Sequence, residues 1–563
     1  MAGATLPLAA LLLVAMTMLA SSAQLADRPS AKLASSSSRS SRWRKGFAAL
    51  EPDPTCPWAT AAGERAKTPE ELAFEVLSRM SLADKLDLVV LRYDGPYENA
   101  LPGIPSLCIP TLILQDGAAG IAYNATGVTQ LPAPLGVAAS FDTSLAYDYG
   151  RVEGEEARGK GIDVVQGPSL NIDRVPEGGR AFETYGEDPS LVSAMGVADT
   201  EGIQSTGVIA EATHLSAYTQ ETDRTSLDQI VSQRALEELY LAPFRADVEQ
   251  AHVGSVMCAY GKINGVRTCE EDQLFDELYS WGFDGFLRSD LDAVTNSVAA
   301  FDAGVDAIKP ASANQLERQV ALHALQLGRL DEAVAHVLEA MFRFGLIEHP
   351  LPEEPSARVD PPSHAAFALH AAEESMVLLK NAGALLPLSG HLASIAVIGS
   401  DADNGAMTAG QGSAHVLAPF VSTPLSAIES RLGARTRVSY VAGPSPSGPL
   451  PAIPASEVRS QRVDLEASEL LGRRSGRLDD PSGPLRVLEQ LVHGGATGTG
   501  SIPPQDFKYL DRRVLNVEPK STGLYAISLT ERGDAWLSLD GTQLLADSGE
   551  HVRSSWQVSS ELV

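Results

Sequence analysis

The sequence predicts an α/β protein: a (β/α)8-like barrel, then an incomplete α/β sandwich domain, then a partial all-β module. Three observations predict it. Six short apolar runs, TLILQD, GIDVVQGP, GVIAEATH, GSVMCAYG, GFLRSD and AGVDAIKP, alternate with amphipathic helical stretches between Thr68 and Gly345, the rhythm of parallel βαβ units. A Pro-rich stretch, LPEEPSARVDPPSH, interrupts that rhythm, and a shorter α/β pattern resumes near Ala366. Beyond Ser456 the side chains alternate apolar and polar, the period of half-buried strands.

Bulk properties agree with several domains. At 563 residues the chain exceeds a single hydrophobic core. Apolar content of 44% and charged content of 20% describe a globular protein. The 43 basic and 72 acidic side chains give a net charge of −29. That field repels nucleic acid and anionic membranes and favours a neutral substrate.

The elements follow in order. Residues 1–23 read as a signal peptide: Leu6 to Ala20 is apolar but short for a membrane span, and Ser21-Ser22-Ala23 is a small-residue cleavage site. Residues 24–66 form a Ser-rich, basic leader. Cys56, Cys108, Cys258 and Cys269 suit two disulfides in an exported protein, with Cys258 and Cys269 close enough to clip one loop. Asn124-Ala125-Thr126 is a glycosylation sequon. The barrel is assigned to 67–345 and opens on Thr68-Pro69-Glu70-Glu71, a capping box with Pro at the first helical position.

A linker (346–365) leads to the partial α/β sandwich (366–455): a helix bearing Glu373 and Glu374, then MVLLKNAGALLPL, SIAVIGSDAD and RVSYVAG. The partial β-sandwich module (456–563) carries a hairpin signal at Asp540-Gly541. Too few strands accumulate to close either of the last two units, so the sequence reads as a chain cut short.

Candidate functional residues sit where the apolar runs end. Asp116, His214, Tyr260, Asp290 and Asp306 fall at or just past such ends, which in a (β/α) barrel converge on one face. Grouping so many polar side chains is costly unless they pair or bind something. Asp292 reads as the cap of the following helix. No phosphate-binding loop and no clustered metal-ligand spacing occur, so no cofactor and no metal are expected. For Arg180, His214 and Tyr260, a surface ion pair with Glu183, a core histidine and barrel packing are the alternative readings.

Together, QDGAAG, GGRAFETYGEDPSL, SVMCAYGKING and GFLRSD resemble family 3 glycoside hydrolases of the β-glucosidase type, and MVLLKNAGALLPL resembles that family's entry into its second domain. The resemblance covers about Thr68 to Val441. It implies a barrel followed by an α/β sandwich, with the segment after Ser456 similar to a protective-antigen-type β-sandwich inserted into the second domain. By position, it makes Asp290 the nucleophile, with Asp116, Arg180, His214 and Tyr260 lining a sugar subsite and Arg224 in support. The implied activity is retaining, exo-acting and cofactor-free, on β-linked glucosides or xylosides, in a secreted protein with no membrane or nucleic-acid partner.

Three departures from the family's pattern stand out. Thr213-His214 replaces its Lys-His pair, and Leu291 replaces a Trp after the nucleophile. The family's acid/base Glu follows the insert, so none is assigned; Glu373 and Glu374 precede the second domain's first strand. HLSAYTQETDR lacks the Gly-rich Asp-His loop of the N-acetylglucosaminidase branch. A glycan-binding protein that has lost catalysis on the same scaffold is the alternative function.

Overall fold

The computed structural model describes residues 56–59, 67–403, 406, 410 and 412–443, and the backbone of six strands between 458 and 562. The expected signal peptide lies outside the described residues, as does the leader apart from 56–59.

Five of the six apolar runs become parallel strands. Strands β1 (Arg92–Asp94), β2 (Tyr97–Leu101), β3 (Leu112–Asp116), β4 (Val164–Gln166), β5 (Ile209–Leu215), β6 (Ser255–Cys258) and β7 (Phe286–Ser289) form one sheet in that order. From β3 to β7 every pairing is parallel. The sheet begins differently, with β1, β2 and β3 antiparallel. Only Gly95-Pro96 separates β1 from β2, room for a hairpin but not for the crossover that parallel pairing needs. The sixth run makes isolated bridges, Ala307 to Arg288 of β7 and Ile308 to Val90 just ahead of β1. Those two bridges close the sheet into a barrel.

Strand β3 is buried throughout, and burying Leu112, Ile113 and Leu114 contributes roughly 1.5–3 kcal/mol each. The first helix starts where the sequence predicts. Helix α1 (Pro69–Leu77) carries the Thr68/Glu71 capping box. Helix α2 (Thr143–Lys160) is capped by Asp142 and stops at Gly161, where φ is +76°, a conformation open to glycine. Helix α3 (Pro189–Gln204) is capped by Asp188 with Pro at its first position. α2 and α3 cross closely: a Cβ on Gly150 would lie 2.1 Å from the Asp199 carbonyl oxygen. Helix α4 (Leu327–Arg343) packs on α1, with Lys85 and Asp331 forming a buried ion pair at 2.6 Å beside it.

The expected linker is docked on the barrel. Lys160 Nζ donates to the carbonyls of Pro355 (3.0 Å) and Ala357 (2.7 Å), and Val359 N to Gly127 O (2.8 Å). Helix α5 (Pro362–Glu374) begins at Pro362, ahead of Ala366, because the proline fits the first turn. Its His364 sits between Glu156 (2.8 Å) and Glu155 (3.0 Å) of α2. Both expected disulfides form, Cys56–Cys108 and Cys258–Cys269.

The second compact unit comprises 395–404 and 438–563. The strands Ser394–Ile398 and Arg437–Val441 make a two-stranded sheet, with Ile398 and Val441 exposed. Farther on, Val458–Ala467 pairs antiparallel with Tyr509–Val517, and Gly523–Arg532 with Val552–Leu562. The hairpin expected at Asp540-Gly541 is present, Ala535–Leu539 pairing with Thr542–Asp547. Among the described residues no helix is long and apolar enough to cross a membrane.

Candidate active site

Because β3 to β7 run parallel, their C-terminal ends meet at one mouth of the barrel. Asp116 ends β3, His214 lies near the end of β5, Tyr260 follows β6 by two residues and Asp290 follows β7 directly. Asp290 is the centre. Its Oδ1 accepts the Tyr260 hydroxyl at 2.9 Å and the Leu291 amide at 2.6 Å, and its Oδ2 lies 3.5 Å from His214 Nε2. The side chain keeps 13% exposure, so the carboxylate is neither sealed in the packing nor aimed at bulk water.

Arg180 satisfies two readings at once. Its Nε and Nη2 fork onto Glu183 (2.9 and 2.6 Å), while Nη1 reaches His214 Nε2 at 3.1 Å. Glu183 is 2% exposed, so the pair is an internal clamp and not a surface contact. A guanidinium only donates, so Nε2 accepts and the ring proton sits on Nδ1, a buried atom without a hydrogen-bond partner among the described residues. Asn171 fixes the His214 backbone, accepting from its N (3.0 Å) and donating to its O (2.8 Å). Arg224 lies 4.3 Å over the Tyr260 ring and donates to Glu221 at 3.0 Å. Asp116 stands opposite Gln166 of β4.

Burial pushes the Asp290 carboxyl up; Arg288, Arg180, the Tyr260 hydroxyl and the Leu291 amide pull it back without cancelling the rise. Asp116 is driven well above the carboxylate range by burial and by Glu98, against Arg288, Lys309 and Arg180. Burial and then the nearby arginines push His214 well below its ordinary value, so the imidazole is neutral. The 3.5 Å approach of His214 to Asp290 is therefore not a salt bridge. Burial opposes the Arg180 charge, but Glu183 outweighs it and holds the guanidinium protonated.

Two expectations fail. Asp306 does not join the mouth: its carboxylate accepts Leu287 N (2.9 Å), Arg329 Nη2 (3.0 Å) and His336 Nδ1 (3.1 Å), tying β7 to α4. Asp292 is not a helix cap, because Asn296 accepts the Val298 and Ala299 amides that open the next helix. Asp292 instead adopts φ +62° and donates its amide to Lys309 O.

Tyr218 is a site residue the sequence did not flag. Its ring lies 5.0 Å from His214 and 5.7 Å from Tyr260, and its hydroxyl donates to Glu221. With Asn171, Arg180, His214 and Glu221 it lines a narrow cleft. An aromatic four residues after His214 was the available signal. Of the departures, Thr213 is 3% exposed with its hydroxyl 3.5 Å from Pro168 O. No cluster of three or more His, Cys, Asp or Glu among the described residues is placed to hold a metal ion.

The glycosyl hydrolase family 3 N-terminal domain model matches residues 103–340 and the family's C-terminal domain model matches 376–539. The chain belongs to glycosyl hydrolase family 3. Within the family, it is 33% identical over 485 residues to a probable β-glucosidase K of Aspergillus fumigatus, covering 84% of this chain and 60% of that protein. The fold is similar to β-glucosidase 3B from Thermotoga neapolitana in complex with α-D-glucose, with a TM-score of 0.60 and 31% identity over 65% of this chain and 55% of that one. A β-glucosidase from Streptomyces venezuelae in complex with D-glucose matches at TM-score 0.63 and 30% identity, over 82% of this chain and 55% of that one. This family 3 chain thus spans little more than half the length of the relatives it matches.

Proposed function

We propose that the chain provides the sugar-binding barrel of a secreted, retaining, exo-acting β-glycosidase, with terminal β-linked glucosides as the first substrate class and xylosides as the second. The observation that carries this reading is the Asp290 carboxylate, held by Tyr260 at 2.9 Å at the mouth of the barrel with His214 and Arg180 beside it.

In this reading an Asp290 oxygen bonds to the anomeric carbon as the glycosidic bond breaks, and water later releases the sugar. Asp116 accepts from sugar hydroxyls and Arg180 donates to them, bonds that accelerate the reaction where they strengthen in the transition state. The neutral His214 contributes hydrogen bonds and no charge, and Arg224 steadies the Tyr260 ring. No acid/base is assigned, so activated aryl glycosides, whose leaving group needs no proton, are the substrates of choice; general acid help is typically worth ~10²–10⁴-fold. The apolar run Leu6–Ala20 and the two disulfides support export.

Thr213 and Leu291 favour a second reading, a glycan-binding protein without catalysis. Incubation with a dinitrophenyl fluoro-β-glucoside separates the two. A hydrolase gains the mass of a fluoro-sugar on Asp290 and loses that labelling in Asp290→Ala. Saturable glucose binding with no adduct would overturn the enzymatic reading.

A further inference from the structure

A layer of the barrel interior, at the level of Asp116 and just below Asp290, departs from the branched apolar filling usual in such barrels. Glu98 of β2, Gln166 of β4, Glu211 of β5, Arg288 of β7 and Lys309 of the closing segment fill it, all at 8% exposure or less. They connect end to end. Ser255 Oγ donates to Glu211 Oε2 at 2.9 Å and Arg288 Nε to Glu211 Oε1 at 2.7 Å. Arg288 Nη2 donates to Gln166 Oε1, Gln166 Nε2 to Glu98 Oε2, and Lys309 Nζ to Glu98 Oε1 at 2.9 Å. The remaining Arg288 arm, Nη1, donates to Ser289 O at 3.2 Å.

Two cations and two anions cancel, and the buried polar atoms of all five side chains are partnered. That is the form in which buried charge is tolerated and a polar network becomes rigid. Arg288 lies in β7 two residues before Asp290, which follows the strand directly, and the strand's alternation carries both to the inward face. Gln166 is the cross-strand neighbour of Asp116, and Lys309 O receives the Asp292 amide.

We propose that this five-residue chain sets the charge state of the site, with Arg288 the positioning residue that keeps Asp290 ionised. The inference rests on the nucleophile assignment above. Arg180 from the loop after β4, His214 from β5 and Tyr260 from beyond β6 face the same carboxylate. His214 and Tyr260 are neutral there, which leaves Arg180 and Arg288 as its counter-charges, Arg288 acting more strongly. Arg180 is already committed to Glu183 and His214.

The test is the pH dependence of labelling by the dinitrophenyl fluoro-β-glucoside. The Asp290 oxygen bonds to carbon as the aryl C–O bond breaks and its electron pair leaves as dinitrophenolate. The rate therefore follows the ionised fraction of Asp290. In Arg288→Met/Glu211→Gln, which leaves no lone buried charge, the acid limb should rise by about one pH unit, tenfold in rate on the acid side. Arg288→Lys should return it towards the wild-type position.

A merely structural role would lower the rate at every pH without moving the limb, and an unmoved limb overturns the inference. If the double variant does not fold, Glu211→Gln carries the test: it removes the anion that offsets Arg288, so the acid limb of labelling should move to lower pH, and an unmoved limb overturns the inference. A wild-type chain that is never labelled removes the nucleophile assignment itself, a distinguishable result.

Discussion

Replacing Glu183 by Ala isolates the Arg180 guanidinium from the carboxylate that aims it. Two of the three arms rest on Glu183, at 2.9 and 2.6 Å, and the third reaches His214 at 3.1 Å. Breaking a buried pair from one side costs ~3–5 kcal/mol, because the other charge stays behind unpaired. Arg180 keeps 22% exposure, so water recovers part of this and the expected loss is ~2–3 kcal/mol. Glu183→Gln retains one acceptor and should lose about half as much. Urea unfolding measures the stability change, and displacement of glucose measures the aim of the guanidinium. A charge-assisted bond to the sugar is worth ~1.5–3 kcal/mol, so glucose affinity should fall tenfold or more. An unchanged urea midpoint together with unchanged glucose affinity would refute the clamp.

Three further outcomes are expected. Tyr260→Phe removes the 2.9 Å donor to Asp290 but keeps the ring under Arg224; kcat/KM on a dinitrophenyl β-glucoside should drop ~10–100-fold and its acid limb should rise, and a profile matching wild type would count against the contact. Burial pushes Asp199 up to about 7 and Asp163 up to about 7. Both exceed the unfolded value near ~3.9, so the stability they lend as neutral acids is complete below pH ~4 and is lost as pH rises through ~7, at most roughly 4 kcal/mol each. Asp199→Asn still accepts the Tyr185 hydroxyl and should flatten that slope, seen in urea midpoints on either side of neutrality; an identical slope would exclude Asp199 as its source. Burial opposes the His364 charge, but Glu156 and Glu155 outweigh it and raise its pKa. The stability His364 lends is complete below the unfolded value of ~6.5 and fades as pH rises through the folded one; hydrogen exchange in α5 should quicken in His364→Ala chiefly on the acid side.

The parallel strands were legible because each is a continuous apolar run with a polar residue at its end, as in TLILQD and GFLRSD. β1 and β2 were not, since YENAL puts Glu98 and Asn99 in a buried strand, and no pattern of apolar periodicity marks a strand whose inward side chains are ionic. The same blindness hid the layer around Arg288: a charged residue inside an apolar run looks like a break until its partners on distant strands are known. Asp306 misled for the opposite reason. It occupies the same kind of strand-end position as Asp290, and only the arginine and histidine of α4, far along the chain, reveal that it faces outward. The helix start at Thr68 was readable because capping is local chemistry; Asp142 and Asp188, which were not singled out, use the same chemistry, accepting amides within three residues.

Cys258 and Cys269 are joined across a separation of 11 residues, and Tyr260 lies inside that span. The phenol touching Asp290 is therefore tethered on both flanks, to the end of β6 and to the far side of its own loop. Opening that bond would release the far side of the loop and slacken the phenol's aim at Asp290.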